Sequence, residues 1–334
     1  MFARFVSSSS PAYVFDKDGT LVNEGTAIPG ASAFLEYVKR KRTPYVILSN
    51  TGTRTGVEVA HSLSSTIDTP IPTVNVITAR DQMLDAMTAT DVLYQRFVVV
   101  EDGGDACPPP RPEDDMSAVC VALFTDGNVP DFTRTVAHVA QWMRRGAALW
   151  ITSCDTTIMR ANSEGVVIPH PGPGSVLQCI QALLPRTVAG EVRIFGKGSP
   201  TDSAHHLGSM VMSRLRMQGF EGVARDVTMV GDRLDTDVRT GRHNGWSTCL
   251  VETGCHKERD TPQFPQDVAD MIATNVQDLS HSRPNTVREV ISDVMRDVVH
   301  FAPHGRPVAE WIAQRMLSRT NVGLTRRIQS NPQF

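Results

Sequence analysis

Long apolar runs are missing from this chain of 334 residues, and none approaches the roughly 20 residues a membrane-spanning helix needs. Cysteine is present without a pattern. Cys107, Cys120, Cys154, Cys179, Cys249 and Cys255 include no Cys-x-x-Cys pair, so neither a zinc site nor a disulfide framework is indicated and reduced thiols in the cytosol are expected. Cys154 is read as a small buried thiol. The histidines show no metal-ligand spacing. A strong charge of one sign is also lacking: the net charge of −3 gives no reason to expect nucleic acid or an anionic membrane as partner. What remains is apolar material, 40% of the residues, enough for two cores in a chain whose length suggests two domains. Residues 1–6 and the four serines after them contain no acid, a composition similar to a mitochondrial transit peptide. With one arginine they are read as a frayed terminus, so the cytoplasm is the expected location and the mitochondrion the alternative.

Against this plain background, four short apolar runs end in chemistry. Ala12-Tyr13-Val14-Phe15 leads into Asp16-Lys17-Asp18-Gly19-Thr20-Leu21. A strand that stops at a carboxylate suits the ligand-binding edge of an open parallel sheet, with Asp16 as nucleophile and Asp18 handling protons from the leaving-group side. An Asx turn is the plain alternative. Tyr45-Val46-Ile47-Leu48 delivers Ser49-Asn50-Thr51-Gly52, the outline of a phosphate cradle. Val192-Arg193-Ile194-Phe195 leads to Gly196-Lys197-Gly198, a lysine at a strand end that suits phosphate. Val227-Thr228-Met229-Val230 runs into Gly231-Asp232-Arg233-Leu234-Asp235-Thr236-Asp237, an acidic loop fit for a hard cation. A nucleotide P-loop from Gly190 to Lys197 fails on spacing, and Gly198 stands where a Ser or Thr must meet the metal.

In order and chemistry these runs resemble the four motifs of the haloacid dehalogenase-like phosphohydrolases, with Asp16 and Asp18 in the first, Ser49 in the second, Lys197 in the third, and Asp232 with Asp237 in the fourth. The long interval between Ser49 and Lys197 implies an inserted cap. Pro171-Gly172-Pro173-Gly174-Ser175 and Leu250-Val251-Glu252-Thr253-Gly254 are similar to the subgroup of p-nitrophenyl, phosphoglycolate and pyridoxal phosphatases, over roughly residues 12–256. Two departures stand out: Gly198 replaces the usual proline after the lysine, and Val22-Asn23-Glu24 replaces the usual aromatic residue before Gly25.

The resemblance implies a Mg²⁺-dependent phosphomonoester hydrolase acting on a small phosphorylated metabolite. Asp16 would form an aspartyl-phosphate, while Asp18 protonates the leaving group and later activates water. Ser49, Asn50 and Lys197 would bind phosphate. Mg²⁺ would be held by the Asp16 and Asp232 carboxylates and the Asp18 carbonyl, with Asp237 in support; Asp235 is read as a helix N-terminal acid. Asp155, in the cap segment Thr152-Ser153-Cys154-Asp155-Thr156-Thr157, and His170 would face the substrate. An acid at position 18 is the pattern of the superfamily's phosphatases and phosphomutases, where its P-type ATPases carry threonine and its dehalogenases lack the acid. A homodimer through the cap is also implied. A phosphotransferase or protein phosphatase with the same chemistry, or a silent scaffold of this fold, are the alternatives.

Short apolar runs alternate with amphipathic stretches, which predicts an α/β fold: a Rossmann-like parallel-sheet core with an α/β cap inserted between the second and third motifs. Helices are expected over residues 31–40 and 56–63, and a strand and helix over 74–77 and 79–87. The core's first part is set at 1–87 and the cap at 88–190. Within the cap, strands are expected at 97–100, 118–124 and 148–151, helices at 132–144 and 175–184, and an exposed loop over 101–117. The core resumes over 191–260. A partly helical extension fills 261–334, where Val287, Val290, Ile291, Val294 and Val298 recur at helical spacing.

Overall fold

The computed structural model describes residues 11–280, apart from residues 24, 90–93, 114, 116–117, 162–165, 186–190, 258–259 and 261–266. The amphipathic stripe at 287–298 and the N-terminal segment lie outside the described residues. Among the described residues, no helix is long and apolar enough to cross a membrane.

The chain opens with β1 (Ala12–Asp16), followed by a small antiparallel pair, β2 (Val22–Asn23) and β3 (Thr26–Ala27). Next come α1 (Ala31–Arg40), β4 (Tyr45–Ser49), α2 (Gly56–Ile67), β5 (Val76–Thr78) and α3 (Ala79–Ala89). α2 begins where Thr55 and Glu58 form a capping box, Thr55 Oγ1 accepting the Glu58 N–H and Glu58 accepting the Thr55 N–H at 2.7 Å. α1 ends on Lys39 and Arg40, cations matched to the negative end of the helix dipole.

A second unit follows, of β6 (Arg96–Glu101), β7 (Val119–Phe124), α4 (Phe132–Arg144), β8 (Ala148–Ile151), the hairpin β9 (Thr157–Ala161) and β10 (Val167–Pro171), α5 (Pro173–Ala182) and β11 (Val192–Ile194). The chain then returns through α6 (Thr201–Met217), β12 (Val227–Gly231), a π-helical turn at Leu234–Val238, α7 (Arg239–His243), β13 (Ser247–Val251) and β14 (Met271–Ala273).

Six strands make one parallel sheet in the order β14-β13-β12-β1-β4-β5. β1, β4 and β12 are buried along their whole length, as expected for strands covered on both faces. Period-two alternation sorts their side chains: Tyr13, Phe15 and Ile47 meet Phe34 and Leu35 of α1, while Val14, Val46 and Leu48 meet Leu207, Val211 and Leu215 of α6. The cap sheet is parallel too, in the order β11-β8-β7-β6. One of its faces packs on α4 and α5; the other, through Ala122, Phe124 and Trp150, packs on Met83 and Ala86 of α3. The core helix α3 is therefore shared between the two units.

Two expectations need correction. Residues 192–194, assigned to the resumed core, pair with β8 in the cap sheet. Residues 271–273, assigned to the extension, form the sixth core strand beside β13, and Val276 and Leu279 complete the core over α1. The loop after Glu101 is largely exposed, as expected, and is anchored where Trp142 Nε1 donates to the Pro108 carbonyl at 2.8 Å and Cys107 is buried.

Candidate active site

Asp16 ends β1 in the middle of the core sheet, flanked by β4 ending at Ser49 and β12 leading to Asp232. Three neighbouring parallel strands thus bring their carboxyl ends, and these side chains, to one crevice. Lys197 reaches it from a different direction. Its Nζ donates to Asp16 Oδ1 and, at 2.7 Å, to Asp237 Oδ1. Asp16, Asp232 and Asp237 each offer an oxygen within 4.8 Å of the others, and all three are buried.

Three buried carboxylates face one ammonium, a surplus of negative charge that a low-dielectric site makes costly. Burial pushes the Asp16 carboxyl well above its ordinary range; Lys197 opposes that shift, and Asp237 and Asp232 add to it. Burial and Asp237 push Asp232 up to about 6, against the Cys255 N–H. Burial works against the Lys197 charge, yet Asp16 and Asp237 together hold its pKa above the usual lysine value. Asp232 Oδ2 accepts the Cys255 N–H at 2.6 Å, but its Oδ1 is buried with no hydrogen-bond partner. Surplus charge, oxygen-only donors and one orphaned carboxylate oxygen fit a hard divalent cation.

The π-helical turn explains how two acids only two positions apart part company. Asp235 forms a two-pronged pair with the Arg233 guanidinium, at 2.8 and 3.1 Å. Asp237 is fully buried, with Lys197 on Oδ1 and the Arg233 N–H on Oδ2 at 3.1 Å. Asp235 thus stands apart from the cluster of Asp16, Asp232 and Asp237.

The loop after β13 supplies what the sequence reading left without a role. Thr253 Oγ1 donates to the Gly19 carbonyl at 2.5 Å, and the Leu234 N–H donates to His256 Nδ1 at 3.1 Å. A Cβ on Gly19 would stand 2.4 Å from Asp232 Oδ2, and one on Gly254 would stand 2.0 Å from it. Gly19 also has φ +80°, so glycine is required there twice over. The available signal was a fifth apolar run, Thr248-Cys249-Leu250-Val251, ending in Thr253-Gly254.

The remaining candidates divide. Ser49 is buried in the crevice, its Oγ 3.4 Å from the Thr51 N–H. Asp18 is not drawn into the cluster: its side chain is 67% exposed and pairs with Lys17 at 2.5 Å. Asn50 spends its side-chain amide on protein, accepting the Lys197 N–H at 2.6 Å and donating to the Lys197 carbonyl at 3.3 Å and to Asp155 Oδ2 at 3.0 Å. That amide is thus engaged without phosphate. Asp155 does reach the core, but on Asn50. His170 stands opposite Ile158 in the hairpin, outside the contacts joining Asp16, Lys197, Asn50 and Asp155. Cys154 is half-buried, its thiol pushed up to about 12 by burial, and its Sγ–H donates to the Lys197 carbonyl at 3.4 Å. A cavity of about 560 Å³ opens beside this loop, lined by Cys154, Asp155, Thr156, Gly198, Arg239 and His243 among others.

Comparison with known proteins places the fold among known ones. Residues 13–106 fit the family model of haloacid dehalogenase-like hydrolases, and residues 201–279 a second model of HAD-like hydrolases. Most of the cap sheet lies between the two matches. The dihydroxyacetone phosphatase of Corynebacterium glutamicum is 28% identical over 268 residues, covering 76% of this chain and 85% of that protein. The acid sugar phosphatase of Staphylococcus haemolyticus is 26% identical, covering 72% and 85%. Among solved structures, the 4-nitrophenylphosphatase of Thermotoga maritima superposes with a TM-score of 0.61 at 21% identity, covering 82% of this chain and 97% of that one. The glycerol phosphate phosphatase of Mycobacterium tuberculosis, solved with magnesium, gives 0.60 at 21% identity, covering 80% and 76%. Both share the fold described above.

Proposed function

Because the chain belongs to the haloacid dehalogenase-like hydrolases, among their capped phosphatases, we propose that it hydrolyses small phosphorylated metabolites with Mg²⁺ through an aspartyl-phosphate on Asp16. The observation that carries this reading is the buried Lys197 ammonium, shared between Asp16 and Asp237 beside Asp232 at the carboxyl edge of the core sheet. The names of the relatives favour sugar, triose or glycerol phosphates as the substrate class.

Asp16 Oδ1 is held by Lys197, whereas Oδ2 accepts, among the described residues, only the Thr20 hydroxyl at 3.4 Å. Oδ2, the less engaged oxygen, attacks phosphorus in line; the new O–P bond forms as the ester P–O bond breaks. Asp18 gives its proton to the departing alkoxide, then takes one from the water that cleaves the acyl-phosphate and frees inorganic phosphate. Its exposed side chain swings off Lys17 to do so, a rotamer change of ps–ns timescale. The Ser49 hydroxyl holds a phosphoryl oxygen, and Lys197 neutralises phosphate and nucleophile together. Mg²⁺ would be held by Asp16, the Asp18 carbonyl and the free Oδ1 of Asp232, and would supply charge neutralisation and alignment of the phosphoryl group. Both Asp237 oxygens are already engaged, so that residue supports the others.

Phosphate release from p-nitrophenyl phosphate and a panel of sugar, triose and glycerol phosphates, with and without Mg²⁺, tests this. Turnover that needs the metal and vanishes in Asp16→Asn is expected. An active Asp16→Asn protein overturns the nucleophile, and no turnover by folded wild-type protein leaves a silent scaffold as the better reading.

A further inference from the structure

Among the described residues, no strand of the core sheet pairs with the backbone of the lysine loop. β11 pairs with β8 in the cap, and the Phe195 N–H still donates to the Ile151 carbonyl of that sheet. Gly196, Lys197 and Gly198 then cross to the core, and side chains fix them there. Gln82 of α3, fully buried, accepts the Gly196 N–H at 2.6 Å and donates to the Ser203 carbonyl at 2.7 Å. Thr240 Oγ1 accepts the Gly198 N–H at 2.8 Å. Asn50 grips the Lys197 peptide on both sides, through its N–H and its carbonyl. Gly196 lets the amide approach: a Cβ there would lie 2.6 Å from Asn50 Oδ1.

The other bond of the Asn50 amide runs to the cap, to Asp155 Oδ2 at 3.0 Å. Asp155 is itself held in place. Its N–H donates to Ser153 Oγ at 3.0 Å, and its carbonyl accepts the Gly174 N–H, at the start of α5, at 2.8 Å. Burial works against the charge of Arg233, in the loop carrying Asp232, and Asp155 and Asp235 sustain it. One cap carboxylate therefore bears on the second, third and fourth loops, and reaches Lys197 only through Asn50.

We propose that Asn50 and Asp155 are positioning residues: the seating of the cap on the core sets Lys197 against Asp16 through the Asp155–Asn50–Lys197 chain. This rests on the reading of Asp16 as nucleophile. It gives Asp155 a role in turnover rather than in substrate choice. A reacting group displaced by about 1 Å costs up to roughly a hundredfold in rate, so a loosened lysine loop registers in kcat.

Steady-state kinetics on two unlike esters, p-nitrophenyl phosphate and glycerol phosphate, separate the two roles. In Asp155→Ala, kcat falls roughly tenfold, by the same factor for both esters, with KM changed less than about twofold. Asp155→Asn keeps an oxygen to accept the Asn50 amide and regains most of the loss. The double variant Asn50→Ala with Asp155→Ala is no slower than Asn50→Ala alone, since both cut one chain. If Asp155→Ala does not fold, Asp155→Glu, which moves the carboxylate by one methylene, gives the same ester-independent loss. A raised KM, loss factors that differ between the esters, or an additive double variant overturns the proposal. Asp16→Asn is assayed alongside. If it is active, the nucleophile reading fails and takes this one with it; if it is inactive while Asp155→Ala changes only KM, the coupling alone fails.

Discussion

The carboxylate of Asp126, in the cap, accepts the Gly52 N–H, in the core, at 2.6 Å. The hydroxyl of Thr51 reaches it at 3.0 Å, and the Thr53 hydroxyl donates to the same oxygen. The Asp126 N–H is held in turn by Asp102 at 2.8 Å. Replacing Asp126 by alanine leaves a part-buried N–H and two hydroxyls without their acceptor, a loss of about 1–3 kcal/mol. We expect Asp126→Ala to melt several degrees lower by calorimetry and to turn over more slowly, because the loop next to Ser49 loosens. A melting temperature within half a degree of wild type would show that the clamp contributes nothing.

Lys197 and Lys17 both pair with a carboxylate, but in opposite settings. The Lys197 side chain is 5% exposed and its loss strands Asp16 and Asp237 in the interior, which costs about 3–5 kcal/mol. Lys17 pairs with the solvent-facing Asp18, a contact of the kind worth at most about 1 kcal/mol. Urea unfolding of Lys197→Met and Lys17→Met should therefore differ severalfold in lost stability, and equal losses would contradict the burial of the cluster. Lys197→Met should also be inactive.

Tyr13 supplies a pH dependence remote from the crevice. It lies in β1 on the face that meets α1, and burial, with Tyr37 and Cys249 adding to it, pushes its phenol up to about 12. Above pH 10 the unfolded chain gives up this proton while the folded chain keeps it, so the contribution is whole below pH 10 and is lost as pH rises towards 12. Over that span the loss amounts to roughly 2–3 kcal/mol. Denaturant melts from pH 9 to 12 should show it in wild type, with a shallower decline in Tyr13→Phe; identical slopes would rule Tyr13 out as the source.

How much of this was legible in the chain depended on how local the information was. Asp16, Ser49 and Asp232 could be read because each closes or follows an apolar run, and a strand end in a parallel sheet is also a place in the site. β11 could not be placed the same way. Val192-Arg193-Ile194 is apolar enough for either sheet, and its choice rests on β8, distant in sequence. Met271–Ala273 is three residues long and follows two prolines, so it reads as part of the extension until β13 is there to pair with it. The hairpin of β9 and β10 was hidden by Pro169 and Pro171, which a two-stranded pair tolerates at its edges. The exposed Asp18 side chain pairs with its half-buried neighbour Lys17, a contact that no pattern encodes.

The placement of β11 also bears on how such a protein can be rebuilt. A cap that began and ended in plain linkers could be exchanged between relatives as a cassette. Here the last cap strand runs through Phe195 straight into Gly196 and Lys197, so the downstream seam of any graft falls beside the lysine loop. A chimera joined upstream of Val192 would set the native edge strand against a foreign β8, whereas one joined after Ile194 would bring a foreign strand to bear on the native lysine. Cap and lysine loop are therefore best transplanted together, with Asn50 and Gln82 matched in the recipient.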